Sequence, residues 1–242
     1  MLEAHIQLEK IAARCAIIPG DPKRLDHIAK YLDEVKELAY NREFRSLSGK
    51  YKGMEVIAIS SGVGSSSASI VVEELRHLGV EAMIRIGSCG ALQNNVDLGD
   101  LVIPEGAIRD DGASKAYVSA DYPASPNYEL LHHIVSICKE NAYPHHVGVV
   151  HSHESFYMDD NDEIEAAWSK KGVLGSDFET AALFTVGRLR GVKTASILNN
   201  VVPYGEDTSN SVTSFVSGEN KVMEGEKREI LTALEALYRL SK

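Results

Sequence analysis

Cysteine is scarce in this chain. The three present, Cys15, Cys89 and Cys138, are scattered and odd in number. No pair stands at a metal-binding spacing, which argues against a disulfide framework and reads as reduced thiols in a cytoplasmic protein. Positive charge is also short: Lys and Arg number 25 against 35 Asp and Glu, a formal net charge of −10 over 242 residues. Nucleic acid and anionic membranes call for a basic surface, so neither partner is expected, and an anionic ligand has to be caught by a few locally placed arginines. No apolar run approaches the roughly 20 residues of a membrane span, and the N-terminus has no signal-peptide core. Internal repeats, low-complexity tracts and Pro/Ser-rich linkers are absent too, so residues 1–242 read as one domain.

What is there is an alternation of apolar, β-branched runs with helical patterns. Strands are predicted over 15–19, 82–86, 101–104, 147–151 and 194–202, and a hairpin over 42–48 and 54–60 around Gly49 and Gly53. Helices are predicted over 21–31, with Asp21 as N-cap and Pro22 in the first turn, and over 65–78, 128–140, 159–171, 178–190 and 219–240. Residues 110–128 carry a weak pattern and read as a long functional loop. Strands separated by amphipathic helices predict an α/β domain with a parallel or mixed sheet.

Four segments carry chemistry. Gly20-Asp21-Pro22-Lys23-Arg24 follows the first strand. Its glycine admits close backbone approach, the helix start offers free N–H groups, and Arg24 adds a charged fork; the same residues also read as a capped helix with a surface arginine. Ser61-Gly62-Val63-Gly64-Ser65-Ser66 is either an anion nest or a tight turn. It lacks the lysine of a P-loop and the spacing of a dinucleotide fingerprint. In Arg85-Ile86-Gly87-Ser88-Cys89-Gly90 an arginine stands in a buried strand, which is costly unless an oxyanion or a buried carboxylate meets it. Asp177-Phe178-Glu179-Thr180 enters an apolar helix, where a carboxylate either caps the helix or accepts the two hydroxyls of a ribose. His145, His146, His151 and His153 lack carboxylates at ligand spacing, so no metal is expected, and Trp168 reads as helix packing.

Taken in order, and together with Asn41-Arg42-Glu43-Phe44, Asp110-Asp111-Gly112-Ala113-Ser114 and Phe156-Tyr157, these segments resemble the nucleoside phosphorylase superfamily over nearly the whole chain. The branch is that of hexameric purine nucleoside and uridine phosphorylases, and two stretches also look like the apicomplexan purine nucleoside phosphorylase. The resemblance implies a mixed sheet closed into a distorted barrel and flanked by helices. It implies phosphorolysis of a ribonucleoside to free base and ribose 1-phosphate through an oxocarbenium-like transition state. Phosphate is then a co-substrate, and no metal or organic cofactor is required. Phosphate would lie on Gly20, Arg24, Arg85 and Ser88, with Arg42 arriving from a neighbouring subunit. Ribose would lie on Glu179 and the backbone of Phe178, with His5 from the same neighbour, and Phe156 would stack on the nucleoside. Arg85 and Glu179 would be the catalytic residues. A dimer would be the minimal unit and three dimers a hexamer.

Three departures from the family pattern bear on the site. The family's Glu-Met-Glu is Asp177-Phe178-Glu179, which keeps the ribose acid. Purine phosphorylases carry an Asp after the late strand, where this chain has Asn199-Asn200-Val201-Val202-Pro203, so Val201 and Val202 make the place uridine-phosphorylase-like. Uridine phosphorylases read uracil with a Gln and an Arg after the aromatic pair, where Asp160 and Asp162 stand here. The reading is a uridine-phosphorylase-like enzyme. The alternatives are a purine nucleoside phosphorylase whose acid comes from Asp160, Asp162, Glu206 or Asp207, and a catalytically weak nucleoside-binding homologue.

Overall fold

Burial alternates along the first strand and sets the layers. In β1 (Cys15–Pro19), Cys15 and Ile17 join one hydrophobic cluster while Ala16 and Ile18 join another. That is the period of two expected of a strand covered on both faces. β5 (Ala82–Ala91) repeats the pattern, with Ile84 and Ile86 on the first face and Met83 on the second. A computed structural model describes residues 2–205 and 220–242. In it β1 runs parallel to β4 (Met54–Ile59) on one side and to β5 on the other, and β9 (Lys193–Val202) lies parallel to β5. β2 (Asp33–Asn41) and β3 (Phe44–Tyr51) extend the sheet antiparallel beyond β4.

β6 (Leu101–Asp110), β7 (His145–His153) and β8 (Gly175–Asp177) complete a nine-stranded mixed sheet of order β2-β3-β4-β1-β5-β8-β7-β6-β9. Because β9 also pairs with β5, the strands from β5 to β9 close into a barrel-like ring, filled by Cys89, Ala91, Val96, Val102, Val150 and Leu198. Helices α1 (Arg24–Ala29), α4 (Tyr128–Glu140) and α7 (Asn220–Leu240) cover the first face through Leu25, Ile28, Leu130, Ile134, Leu234 and Leu237. α2 (Ser65–His77) and α6 (Thr180–Leu189) cover the second through Val71, Leu75, Leu183 and Phe184. This is the α/β mixed sheet that the sequence pattern predicts, closed and flanked by helices as the resemblance implies. Among the described residues no helix is long and apolar enough to cross a membrane.

The differences from expectation have local causes. β2 is a strand that periodicity misses, since it is charged and largely exposed and is held by its backbone ladder to β3. β5 and β6 run on to Ala91 and Asp110, because Gly87, Gly90 and Gly106 interrupt the apolar run while pairing continues, with shifts of register at Gly90 and Gly106. Asp21 caps a turn that precedes the helix: its Oδ1 accepts from the Lys23 amide at 2.9 Å and its carbonyl from the Arg24 amide at 3.1 Å, and α1 itself starts only at Arg24. Residues 110–128 are not all loop, since Asp111 caps a short helix α3 (Gly112–Tyr117) by accepting from the Ser114 amide at 2.6 Å. α5 (Asn161–Ser169) starts two residues later than the pattern suggests. All three cysteines are free and buried, and burial pushes the Cys15 and Cys138 thiols up to about 11.

Candidate active site

A cavity of about 470 Å³ opens where the ends of β1, β5 and β9 meet those of β7 and β8. One end is built around Arg85. Gly87, two residues on, leaves room for this side chain to fold back along its own strand: a Cβ there would stand 2.5 Å from Arg85 Nη2. Arg85 Nη2 lies 2.5 Å from Glu179 Oε2 and its Nε 3.3 Å from Asp177 Oδ2. Its Nη1 is buried and has no hydrogen-bond partner among the described residues. Burial would lower the pKa of this guanidinium, but Glu179 and Asp177 outweigh burial and hold it above its ordinary value. Of the two remedies considered for a buried arginine, the structure holds the buried carboxylate, and one N–H donor is left over among the described residues.

Arg24 reaches the same end and is not a surface arginine, being 5% exposed. It donates to the Ile86 carbonyl from Nη1 and to Ser88 Oγ from Nη2, each at 3.4 Å. Gly20 and Ser88 also line the cavity there.

Glu179 occupies the N-cap position of α6 but makes no capping hydrogen bond. Asp177 caps instead, accepting from the Thr180 amide at 3.0 Å, from Thr180 Oγ1 at 2.6 Å and from Ser152 Oγ at 2.6 Å. Glu179 is thereby free to face the cavity, held by the Gly64 amide, which donates to Oε1 at 2.6 Å. Gly64 takes a φ of +103°, which glycine adopts without strain. Burial raises the Glu179 pKa, and Arg85 pulls it back.

The far end is aromatic and apolar. Phe156, Phe178 and His153 line it with Val201 and Val202; the Phe178 ring lies 6.2 Å from Phe156 and 4.7 Å from His153. Asp160 and Asp162, the acids expected at the base, are exposed and lie outside the cavity lining. The helical turn starting at Asn161 brings Asn161 and Glu165, four apart, to the cavity in their place. Ser176 Oγ donates to Glu165 Oε1 at 3.2 Å, and Asn161 Oδ1 is buried without a partner among the described residues. Glu206 and Asp207 lie outside the described residues. His153 stacks on His151 with ring centroids 5.0 Å apart, and burial lowers its pKa, which favours the neutral form. Two of the histidines do meet carboxylates in space, His146 at Asp100 and His151 at Asp110.

Two expected residues are not in this chain's own cavity. Arg42 is exposed in the β2–β3 turn. His5 is tied to Glu74, its Nδ1 2.6 Å from Oε1.

The profile of the Phosphorylase superfamily matches residues 14–229. The chain belongs to this superfamily. Among its phosphorylase relatives, the guanosine phosphorylase of Halorubrum lacusprofundi is 40% identical over 182 residues, 75% of this chain and 75% of that protein. The uridine phosphorylase of Haemophilus influenzae is 31% identical, spanning 96% of this chain and 97% of that one. The crystal structure of uridine phosphorylase from Vibrio fischeri superposes with a TM-score of 0.91 at 44% identity, over 98% of this chain and 97% of that chain. Asn161, Glu165 and Ser176, which line the cavity, are residues that sequence reasoning missed. The i, i+4 spacing of Asn161 and Glu165 on an otherwise solvated helix was the available signal.

Proposed function

We propose that this protein cleaves ribonucleosides with inorganic phosphate to give free base and ribose 1-phosphate, with uridine as its preferred substrate. The observation that carries this reading is Arg85, buried against Glu179 and Asp177 with its Nη1 left unpartnered, beside Arg24 and Ser88. A buried cation with a spare donor suits an oxyanion, and a carboxylate 2.5 Å from it suits the ribose hydroxyls and the positive charge developing at C1′.

In this reading Gly20, Arg24, Arg85 and Ser88 hold phosphate, and Glu179 and the Phe178 backbone hold ribose. A phosphate oxygen forms its bond to C1′ as the glycosidic C–N bond breaks, and the bonding pair leaves with the base. Val201 and Val202 offer no proton donor, which favours a base able to leave as a delocalised anion, as uracil does. The nucleophile is the phosphate itself, so no metal or organic cofactor enters. Arg42 and His5 complete the site of a neighbouring subunit, in a dimer that assembles into a hexamer. The setting is cytoplasmic nucleoside catabolism and nucleotide salvage. A second reading, purine nucleoside phosphorylase, is favoured by one observation: Glu165 and Asn161 place acceptors at the base end, which suits the N–H-rich edge of guanine.

The test is a panel of uridine, thymidine, inosine, adenosine and guanosine, with and without phosphate, following free base. Phosphate-dependent release, fastest from uridine, is the expected result. A preference for guanosine or inosine moves the assignment to the second reading. Binding of nucleosides without turnover leaves a catalytically weak binding homologue.

A further inference from the structure

Helix α7 carries two buried carboxyl groups behind the anion end of the cavity. Glu226 and Glu229 stand three apart on it, hence on one face, and are 5% and 0% exposed. Arg24 lies between this pair and the cavity, its Nε 3.3 Å from Glu226 Oε2 and its Nη1 3.2 Å from Glu229 Oε1. Glu226 has a second partner, the ring of His27 on α1. Glu229 has none: neither of its oxygens takes part in a well-directed hydrogen bond among the described residues. The groups facing it are Arg24 from α1, Arg85, the Gly87 backbone and the Cys89 thiol from β5, and Glu226 from its own helix.

The charges at this end do not balance. Two buried guanidinium groups, Arg24 and Arg85, face four buried carboxyl groups, Asp177, Glu179, Glu226 and Glu229. His27, when protonated, offsets Glu226 alone. A phosphate dianion adds two further negative charges, and an uncompensated buried charge costs several kcal/mol. A neutral carboxyl reduces that excess, and Glu229, wholly buried and with neither oxygen in a well-directed hydrogen bond among the described residues, gives up least by taking a proton. Burial already pushes it up to about 8, with Arg24 pulling it back.

We propose that phosphate binds the form of the protein in which Glu229 carries a proton, so that Glu229 is a positioning residue that frees Arg24 for the anion and sets an alkaline limit on phosphate affinity. The proton comes from solvent and converts the carboxylate to the acid; no bond to carbon or phosphorus changes. The inference rests on reading the cavity's anion end as a phosphate site.

The experiment is calorimetric titration of the whole protein with inorganic phosphate at pH 7, 8 and 9, in buffers of different ionisation enthalpy. At pH 9 free phosphate is already a dianion, so any proton taken up on binding goes to the protein. Close to one proton per site is expected there, with a Kd about fivefold weaker than at pH 8. In E229Q, fixed neutral, both the uptake and the weakening disappear, whereas H27Q keeps both. In turnover the alkaline loss falls on the phosphate KM and not on kcat at saturating phosphate, a split that a purely structural role of Glu229 does not produce. Absence of proton uptake by the wild-type protein at pH 9 overturns the proposal without recourse to any variant, and so does an unchanged slope in folded E229Q. Phosphate binding with either result overturns this inference alone. Failure to bind phosphate, with no phosphate-dependent release of base, overturns the phosphorylase reading as well.

Discussion

Arg85 owes its place to a side chain that is missing two residues later. A Cβ on Gly87 would stand 2.5 Å from Nη2 and 2.6 Å from Cζ of Arg85, so the guanidinium, not the backbone, would have to move. Gly87→Ala is therefore expected to cut kcat/KM about a hundredfold, the order of two to three kcal/mol for a lost charge-assisted contact, with a nearly unchanged Tm. Steady-state kinetics beside a melting curve checks it, and wild-type kinetics would free Gly87 of this role. Glu179 invites a sharper comparison, since the helix cap at its position is made by Asp177. Glu179→Gln is expected to lower turnover by two orders of magnitude or more with little loss of stability; reduced stability with normal kinetics would return it to a capping role. Glu229 adds a pH dependence of stability. Its folded pKa of about 8 lies above the ordinary 4.5, so the folded state holds a proton that the unfolded state has lost. Stability is then expected to fall as pH rises from about 4.5 to about 8 and to level off above, by a few kcal/mol at most. Urea titrations at pH 5 and pH 9 should show that loss in the wild type and a smaller one in E229Q.

At the scale of elements, α7 joins the far end of the chain to the site. Asn199 Nδ2 donates to the Val222 carbonyl at 2.9 Å, and Gly225 lets the helix lie directly on β9: a Cβ there would stand 2.1 Å from Asn199 Oδ1 and 2.8 Å from the Gly99 carbonyl. Two effects oppose each other in Gly225→Ala. Helix propensity favours alanine by about 1 kcal/mol, while overpacking a close contact costs about 1–3 kcal/mol. Since one obstacle is a backbone carbonyl that cannot rotate away, the clash wins. The variant is expected to unfold at lower urea and, because the same helix carries Glu226 and Glu229 to Arg24, to show a raised phosphate KM. A stabilised variant with normal kinetics would mean that α7 shifts freely. The elements also show where the sequence was silent. β2 has no apolar alternation to read, because a strand held by backbone pairing and exposed along much of its length needs none.

At the scale of the whole molecule, two residues that the family places in the site lie outside the cavity of their own chain. Arg42 is exposed in a turn with φ +55°, and His5 is held by Glu74 on α2. A symmetric two-fold contact would make their use reciprocal, each subunit lending what it borrows. Arg42→Ala and Arg85→Ala subunits, each inactive alone, are expected to regain about a quarter of the wild-type activity when dissociated and reassembled in equal amounts. Half of the random dimers are then mixed, and each mixed dimer has one intact site. No recovery despite proven subunit exchange would place Arg42 in its own chain's function or in none.

Sequence alone determined the parts that depend on near neighbours. The alternation in β1 and β5, the amphipathic α2 and α4, and the segments that bring Gly20, Arg24, Arg85, Ser88 and Glu179 to one cavity were all legible, because each is a local pattern or a contiguous motif. Tertiary structure decided what depends on direction. Which carboxylate caps α6 and which faces the cavity follows from where Ser152 and Gly64 stand, both far away in sequence. Which side chains of α5 line the cavity follows from how the helix is turned: Asn161 and Glu165, four apart, share the face that meets it, while Asp160 and Asp162, each about 100° from Asn161, do not. The acids behind Arg24 come from the last helix, and only folding brings a group about two hundred residues away within 3.2 Å of it.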